Sequence, residues 1–148
     1  MTAMIGSNVK VGDQFKGEPK KMTLPRLLMF SGGPMWDEAF PKSNIHTDDA
    51  FAKSTGLPGL CAAGTQYQAA LTELMIDLFG DGWLSSGTLS VKLTDLVMVG
   101  QTVQARATVT KVESDKGATV VYVDIWSERD DGAKVLVGTA SGRLPKKG

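Results

Sequence analysis

The chain contains one histidine, His46, in the segment Ser43-Asn44-Ile45-His46-Thr47-Asp48-Asp49. Imidazole is the side chain that changes charge between about pH 5 and 8 without special surroundings, so proton transfer near neutral pH falls first to this residue. The segment is flanked by glycine and proline, and a loop held on a rigid scaffold is where such a group is usefully presented. Further along, Cys61-Ala62-Ala63-Gly64-Thr65 announces a helix start. The N–H groups of a first helical turn have no intrahelical acceptor, and the helix dipole there favours negative charge. The competing reading of a lone histidine is a surface or hydrogen-bonded structural residue.

Other side chains offer chemistry less directly. Cys61 is a candidate nucleophile beside a helix start, although a free cysteine most often behaves as a small buried hydrophobe. Asp48 and Asp49 are adjacent, and carboxylates so placed at a helix start point apart and cap it rather than share a metal. One His and one Cys argue against a zinc site, and no cofactor is expected. Trp36, Phe40 and Phe51 are equally suited to lining an apolar pocket or to ordinary packing.

The elements that must position these groups are read from periodicity. Asp13 to Met22 alternates loosely and suggests a first strand. Thr23 before Leu24-Pro25 fits an N-cap with proline in the first turn, opening a short helix through Met29. Asp48 to Ala52 suggests another short helix. A long helix is expected from about Ala63 to Leu78, with Tyr67, Ala70, Leu71, Leu74 and Leu78 on one apolar face, widened by Met75 and Ile76. Gly80-Asp81-Gly82 ends it. The period then changes to two, through Leu89-Val91-Leu93 and Val103-Ala105-Ala107-Val109. Thr119 to Trp126 is β-branched or aromatic almost throughout, which suits a strand covered on both faces. Asp115-Lys116-Gly117 and Asp130-Asp131-Gly132 are turn signals joining antiparallel neighbours, and Val135 to Ala140 supplies the last strand. The expected class is α+β, a sheet wrapping one central helix.

With 148 residues the chain suits a single domain, residues 1–148, large enough to bury a core without staples. Sixteen basic and 16 acidic residues cancel, leaving no electrostatic footprint for nucleic acid. No apolar run is long enough for a membrane span, the first residues do not resemble a secretory signal, and a single cysteine fits a reducing cytoplasm.

The order of these parts resembles the MaoC-like branch of the hot-dog fold. The resemblance is carried by Asn44-Ile45-His46-Thr47-Asp48, by Ala50-Phe51-Ala52, by Gly64 at a helix start, and by Val97-Met98-Val99-Gly100-Gln101-Thr102-Val103 before a strand meander. It covers roughly residues 23–142. That branch includes R-specific enoyl-CoA hydratases and acyl dehydratases, so the resemblance implies an acyl thioester substrate. It also implies a homodimer or higher homo-oligomer whose pocket lies near the subunit junction. It makes His46 the acid/base residue and the Gly64 amide the oxyanion donor, with Ala63, Asn44 and Tyr67 as further substrate contacts. The periodic position of Tyr67 favours the core over a substrate contact. The family pattern Asp-x-Asn-Pro-x-His is kept here only at its histidine, because Pro41, Ser43 and Asn44 stand at its other three defined positions. A carboxylate must then come from elsewhere, with Asp37 (or Glu38) in a longer loop and Asp48 as the candidates. Three functions fit: a hydratase or dehydratase of 2-enoyl and 3-hydroxyacyl thioesters, a hot-dog thioesterase, and a non-catalytic acyl-thioester-binding subunit.

Overall fold

In the computed structural model, which describes residues 5–32 and 43–144, the chain forms ten elements. They are strands β1 (Gln14–Lys16) and β2 (Lys20–Lys21), helices α1 (Leu24–Ser31), α2 (Asp49–Ser54), α3 (Gly64–Phe79) and α4 (Asp81–Ser86), then strands β3 (Thr88–Leu93), β4 (Thr102–Asp115), β5 (Ala118–Arg129) and β6 (Lys134–Arg143). All strand pairings are antiparallel, in the order β1-β4-β5-β6-β3, with β2 also on β4. The sheet covers α3, giving the hot-dog arrangement. Tyr67, Leu71, Leu74, Met75, Leu78 and Phe79 of the helix are buried with Val103, Ala105, Ala107, Val109, Val121, Val123 and Ile125.

The sheet curves at register shifts. Between Val109 and Lys111 of β4 one extra residue opposes β5, and β6 has a matching irregularity opposite Ser127 and Glu128. Such bulges increase local twist and bend a strand, which a sheet closing over a helix requires. Between β4 and β5, Lys116 and Gly117 have φ of 50° and 79°, the two left-handed residues of a tight hairpin whose twist matches its strands. Ser127, the one buried polar residue among those described, donates its hydroxyl to the Tyr67 carbonyl at 3.2 Å and ties β5 to α3.

Several expectations shift. The first strand is two: Lys16 pairs with Arg106 and Lys20 with Val103, so the β1–β2 side carries an extra residue around Gly17-Glu18-Pro19. Pro19 has no N–H for a ladder. Helix α1 starts as expected, with the Thr23 side chain accepting from the Arg26 N–H, but runs on to Ser31. Ile76 is exposed, because it falls off the Leu71–Leu74–Leu78 stripe at 3.6 residues per turn. Gly80 does stop α3, at φ 54°, yet α4 begins at once and stacks Trp83 on Phe79 at 6.4 Å. Strand β5 is not covered on both faces. Tyr122, Asp124 and Trp126 look outward, where Tyr122 donates to Glu113 and the Lys134 ammonium lies 4.4 Å from the Trp126 ring centroid. Among the described residues no helix is long and apolar enough to cross a membrane.

Leu71 is fully buried at the centre of the helix–sheet contact. Leu71→Ala is expected to cost about 2–5 kcal/mol, read in urea unfolding as a lower midpoint with an unchanged slope.

Candidate functional site

The loop from Ser43 to Asp48 is fastened at both ends before α2 begins. Asn44 Oδ1 accepts the His46 N–H at 2.8 Å, a local turn of the kind short amide side chains favour. Asn44 Nδ2 donates to the Ser31 carbonyl at 3.1 Å, tying the loop to the end of α1. Each end of this amide makes one bond to the backbone, so Asn44 fastens the loop that carries His46. Asp48, also expected as a catalytic carboxylate, is the N-cap of α2: Oδ1 accepts the Phe51 N–H at 3.0 Å and Oδ2 the Ser43 hydroxyl at 2.5 Å. Those two donors, Ser43 first, hold its carboxyl below the ordinary aspartate value. Its geometry is that of a cap and not of a partner to His46.

His46 is set against the strand-like segment Leu60–Ala62. Its Nδ1 lies 2.8 Å from the Cys61 carbonyl oxygen, while the Cys61 N–H reaches the Ile45 carbonyl at 3.4 Å. A carbonyl only accepts, so Nδ1 carries the hydrogen and Nε2 is left with its lone pair. The Cys61 segment is in turn fixed by the bonds from Ala62 N–H to Val97 O and from Val99 N–H to Leu60 O, at 2.7 and 3.0 Å. Burial pushes the Cys61 thiol up, which speaks against thiolate chemistry. Its Sγ is 3.8 Å from His46 Nδ1.

A cleft of about 450 Å³ opens at this point, lined by His46, Cys61, Gly64, Tyr67, Leu93 and Asp95 among others. Gly64 is the first residue of α3, and Ala63 is its N-cap, with no side chain to cap the turn. A Cβ on Gly64 would stand 2.7 Å from both methyls of Leu93, so only glycine leaves this backbone open to the cleft without displacing the wall. Ala63 is not among the residues that line the cleft, and its carbonyl accepts the Gln66 N–H at 2.9 Å. Tyr67 is almost wholly buried, and its hydroxyl donates to the Asp95 carbonyl at 3.2 Å. Burial first, then the neighbouring Cys61 and Asp95, push its phenol up, so it remains a neutral donor. Tyr67 is therefore a core residue with one edge on the cleft.

The expected Asp37 lies outside the described residues, as do Trp36, Glu38, Phe40 and Pro41. Among the described residues no carboxylate is hydrogen-bonded to His46. Sequence reasoning missed Asp95. Its one local signal was an acidic residue at the point where the alternation of Leu89, Val91 and Leu93 ends. It also missed Arg129, which reaches back to Asp95 at 3.2 Å and to the Leu96 carbonyl at 2.6 Å. No group of three or more potential metal ligands occurs among the described residues.

Comparison with known proteins adds an independent line. The sequence profile of the MaoC like domain matches residues 43–128, spanning His46, Gly64 and most of the meander. Among solved structures, a MaoC-like dehydratase from Rhodospirillum rubrum aligns with TM-score 0.77 and 18% identity, over 95% of this chain and 96% of that one. An (R)-hydratase from A. caviae involved in PHA biosynthesis aligns with TM-score 0.72 and 21% identity, over 95% and 100%. An R-hydratase from Pseudomonas aeruginosa aligns with TM-score 0.76 and 17% identity, over 95% and 85%. At these identities the likeness is one of fold. A search of curated protein sequences finds no significant match.

The capping role of Asp48 has a signed pH consequence. Its folded-state pKa is depressed, so its contribution is complete above the unfolded value near 3.8 and is lost as pH falls through the folded one. Asp48→Ala is expected to lower the melting temperature at neutral pH. The difference from the parent protein should shrink steadily below about pH 3.8 in thermal scans across acid pH.

Proposed function

The chain belongs to the MaoC-like domain family, and from that premise we propose that it adds water to 2-enoyl thioesters, or removes it from 3-hydroxyacyl thioesters. The observation that carries this reading is the bond from His46 Nδ1 to the Cys61 carbonyl. It fixes the tautomer whose Nε2 can take a proton, in a cleft that also exposes the start of α3.

In the hydration direction the oxygen of water bonds to C3 while its proton passes to His46 Nε2. The C2=C3 π pair moves toward the thioester, and negative charge grows on its oxygen. The Gly64 N–H has no acceptor within its helix and lies where the dipole favours that charge. Return of the proton to C2 completes the addition, and dehydration runs the same steps backwards. A well-placed acid/base group contributes roughly 10²–10⁴-fold, and an oxyanion donor roughly 10²–10³-fold. Leu93 and Leu96, apolar and substantially exposed at the cleft, suit the acyl part of the thioester, whether carried by coenzyme A or by a carrier protein.

Among the described residues strand β3 is paired on one edge, with β6, and unpaired on the other. An unpaired strand edge is a template for pairing, and this one leads directly to Leu93 and the cleft. We place a second copy of the chain there, in a homodimer whose sheets run on into each other and whose junction closes the cleft mouth. Sedimentation velocity at micromolar concentration is expected to show a species of twice the chain mass, and a monomer only would remove this part of the reading.

His46→Ala is expected to lower the rate of crotonyl-coenzyme A hydration by roughly 10²–10⁴-fold, with the melting temperature retained. Loss of the enoyl absorbance band is the measurement. No turnover by the parent protein on short or long enoyl or 3-hydroxyacyl thioesters would sink the assignment. Release of free thiol without loss of the enoyl band would point instead to a thioesterase.

A further inference from the structure

Asp95 is the only acidic residue among the described residues lining the cleft that holds His46 and Gly64. Its chain position is far from the His46 loop, yet the fold fixes it on every side. The carbonyl of Val135, at the irregularity of β6, accepts from both Thr94 N–H and Asp95 N–H, at 3.0 and 3.3 Å. The Asp95 carbonyl takes the Tyr67 hydroxyl at 3.2 Å. Its Oδ1 takes the Leu96 N–H at 2.7 Å, and its Oδ2 faces Arg129 Nη1 at 3.2 Å. Arg129 is itself held, being bonded by Nε and Nη2 to Asp131 and by Nη1 to the Leu96 carbonyl.

A solvated aspartate at a strand end has no need of so many anchors. The side chain remains 50% exposed, so this holding is not the satisfaction of a buried charge. A pair this exposed is worth little to stability. Each carboxylate oxygen faces one of these donors and can accept another hydrogen. Pinned backbone, pinned side chain and open lone pairs together describe a preorganised acceptor on a cleft wall.

We propose that Asp95 is a catalytic residue of this cleft, accepting a hydrogen bond from the water that His46 deprotonates, or from the 3-hydroxyl group in the reverse direction. This rests on the hydratase reading given above. His46 Nε2 removes one proton from water as the C3–O bond forms, and Asp95 holds the other hydrogen, which stays on the product hydroxyl. The proton on His46 then passes to C2 as the charge on the thioester oxygen collapses. Water is consumed, both side chains return to their starting states, and no further reactant is required. A carboxylate in the same cleft also offsets the imidazolium that exists between the two proton transfers, a charge that the Cys61 carbonyl does not balance.

The experiment measures kcat and KM for crotonyl-coenzyme A hydration in the full-length parent protein and in the Asp95→Asn, Asp95→Glu, Arg129→Lys and Asp37→Asn variants, with a thermal melt of each. Asp95→Asn is expected to lose roughly 10²–10³-fold in kcat with KM within about threefold and the melting temperature unchanged. Asp95→Glu should recover part of that loss, and Arg129→Lys, which keeps the carboxylate, should lose less than Asp95→Asn. An Asp95→Asn protein that keeps more than about a tenth of the parent kcat overturns the proposal, as does a loss equalled by Arg129→Lys, which would mark a structural staple. Collapse in Asp37→Asn alone assigns the carboxylate to the segment before His46 and overturns it too. If Asp95→Asn fails to fold, the Asp95→Glu and Arg129→Lys pair decides by the same comparison. A parent protein without hydration activity defeats the function itself, a result distinct from all of these.

Discussion

A helix of 16 residues with seven buried side chains can be hidden by one sheet only if that sheet curves around it. The remainder of the structure depends on this constraint. A regular antiparallel ladder twists but does not close over a helix, so β4 and β6 each depart from register against β5. These departures are not confined to covering apolar surface. At β6 the irregularity turns the Val135 carbonyl toward the Thr94 and Asp95 amides, and so fixes the cleft wall. The curvature that buries α3 therefore also builds the part of the cleft wall that carries Asp95.

The same constraint explains which parts of the chain could be read without coordinates. Helix α3 and strands β3 to β6 each carry their period in their own residues, and the glycine-bearing turns between strands are local chemistry. These were legible. Ile76 was misjudged because apolar character alone does not give the angle a residue makes with its stripe. Helix α4 was unreadable for a different reason: Asp81-Gly82-Trp83-Leu84 has little helical preference, and the turn depends on Gly80 redirecting the chain so that Trp83 reaches Phe79. The outward face of β5 looked buried because Tyr122 and Trp126 favour strands whether or not another layer covers them.

Site residues divide along the same line. His46 announces itself by residue type, and Gly64 by the apolar helical stripe that begins just after it. Asp48 announces itself as well, but its signal was that of a cap, and a cap is what Ser43 and Phe51 make of it. Asp95 and Arg129 are brought together by the register of three strands, and neither has a neighbour in sequence that names the other. Asn44 was expected at the substrate, whereas its amide joins the His46 loop to the end of α1. A loop residue with both polar ends committed to backbone is an instrument of placement.

The pairing of His46 with a backbone carbonyl has a cost that locates the rest of the chemistry. A carbonyl fixes the tautomer as firmly as a carboxylate, because either accepts the Nδ1 hydrogen, but a carbonyl carries no net charge. In the proposed reaction an imidazolium is left without a counter-charge at Nδ1, in a cleft whose walls are largely apolar side chains. Opposite charge is worth more in such surroundings than in open water. Among the described residues the fold places one carboxylate in that wall and restrains it through its own backbone, through Arg129 and through the hydroxyl of a core tyrosine. In the proposed role of Asp95, its rigidity answers the neutrality of the Cys61 carbonyl.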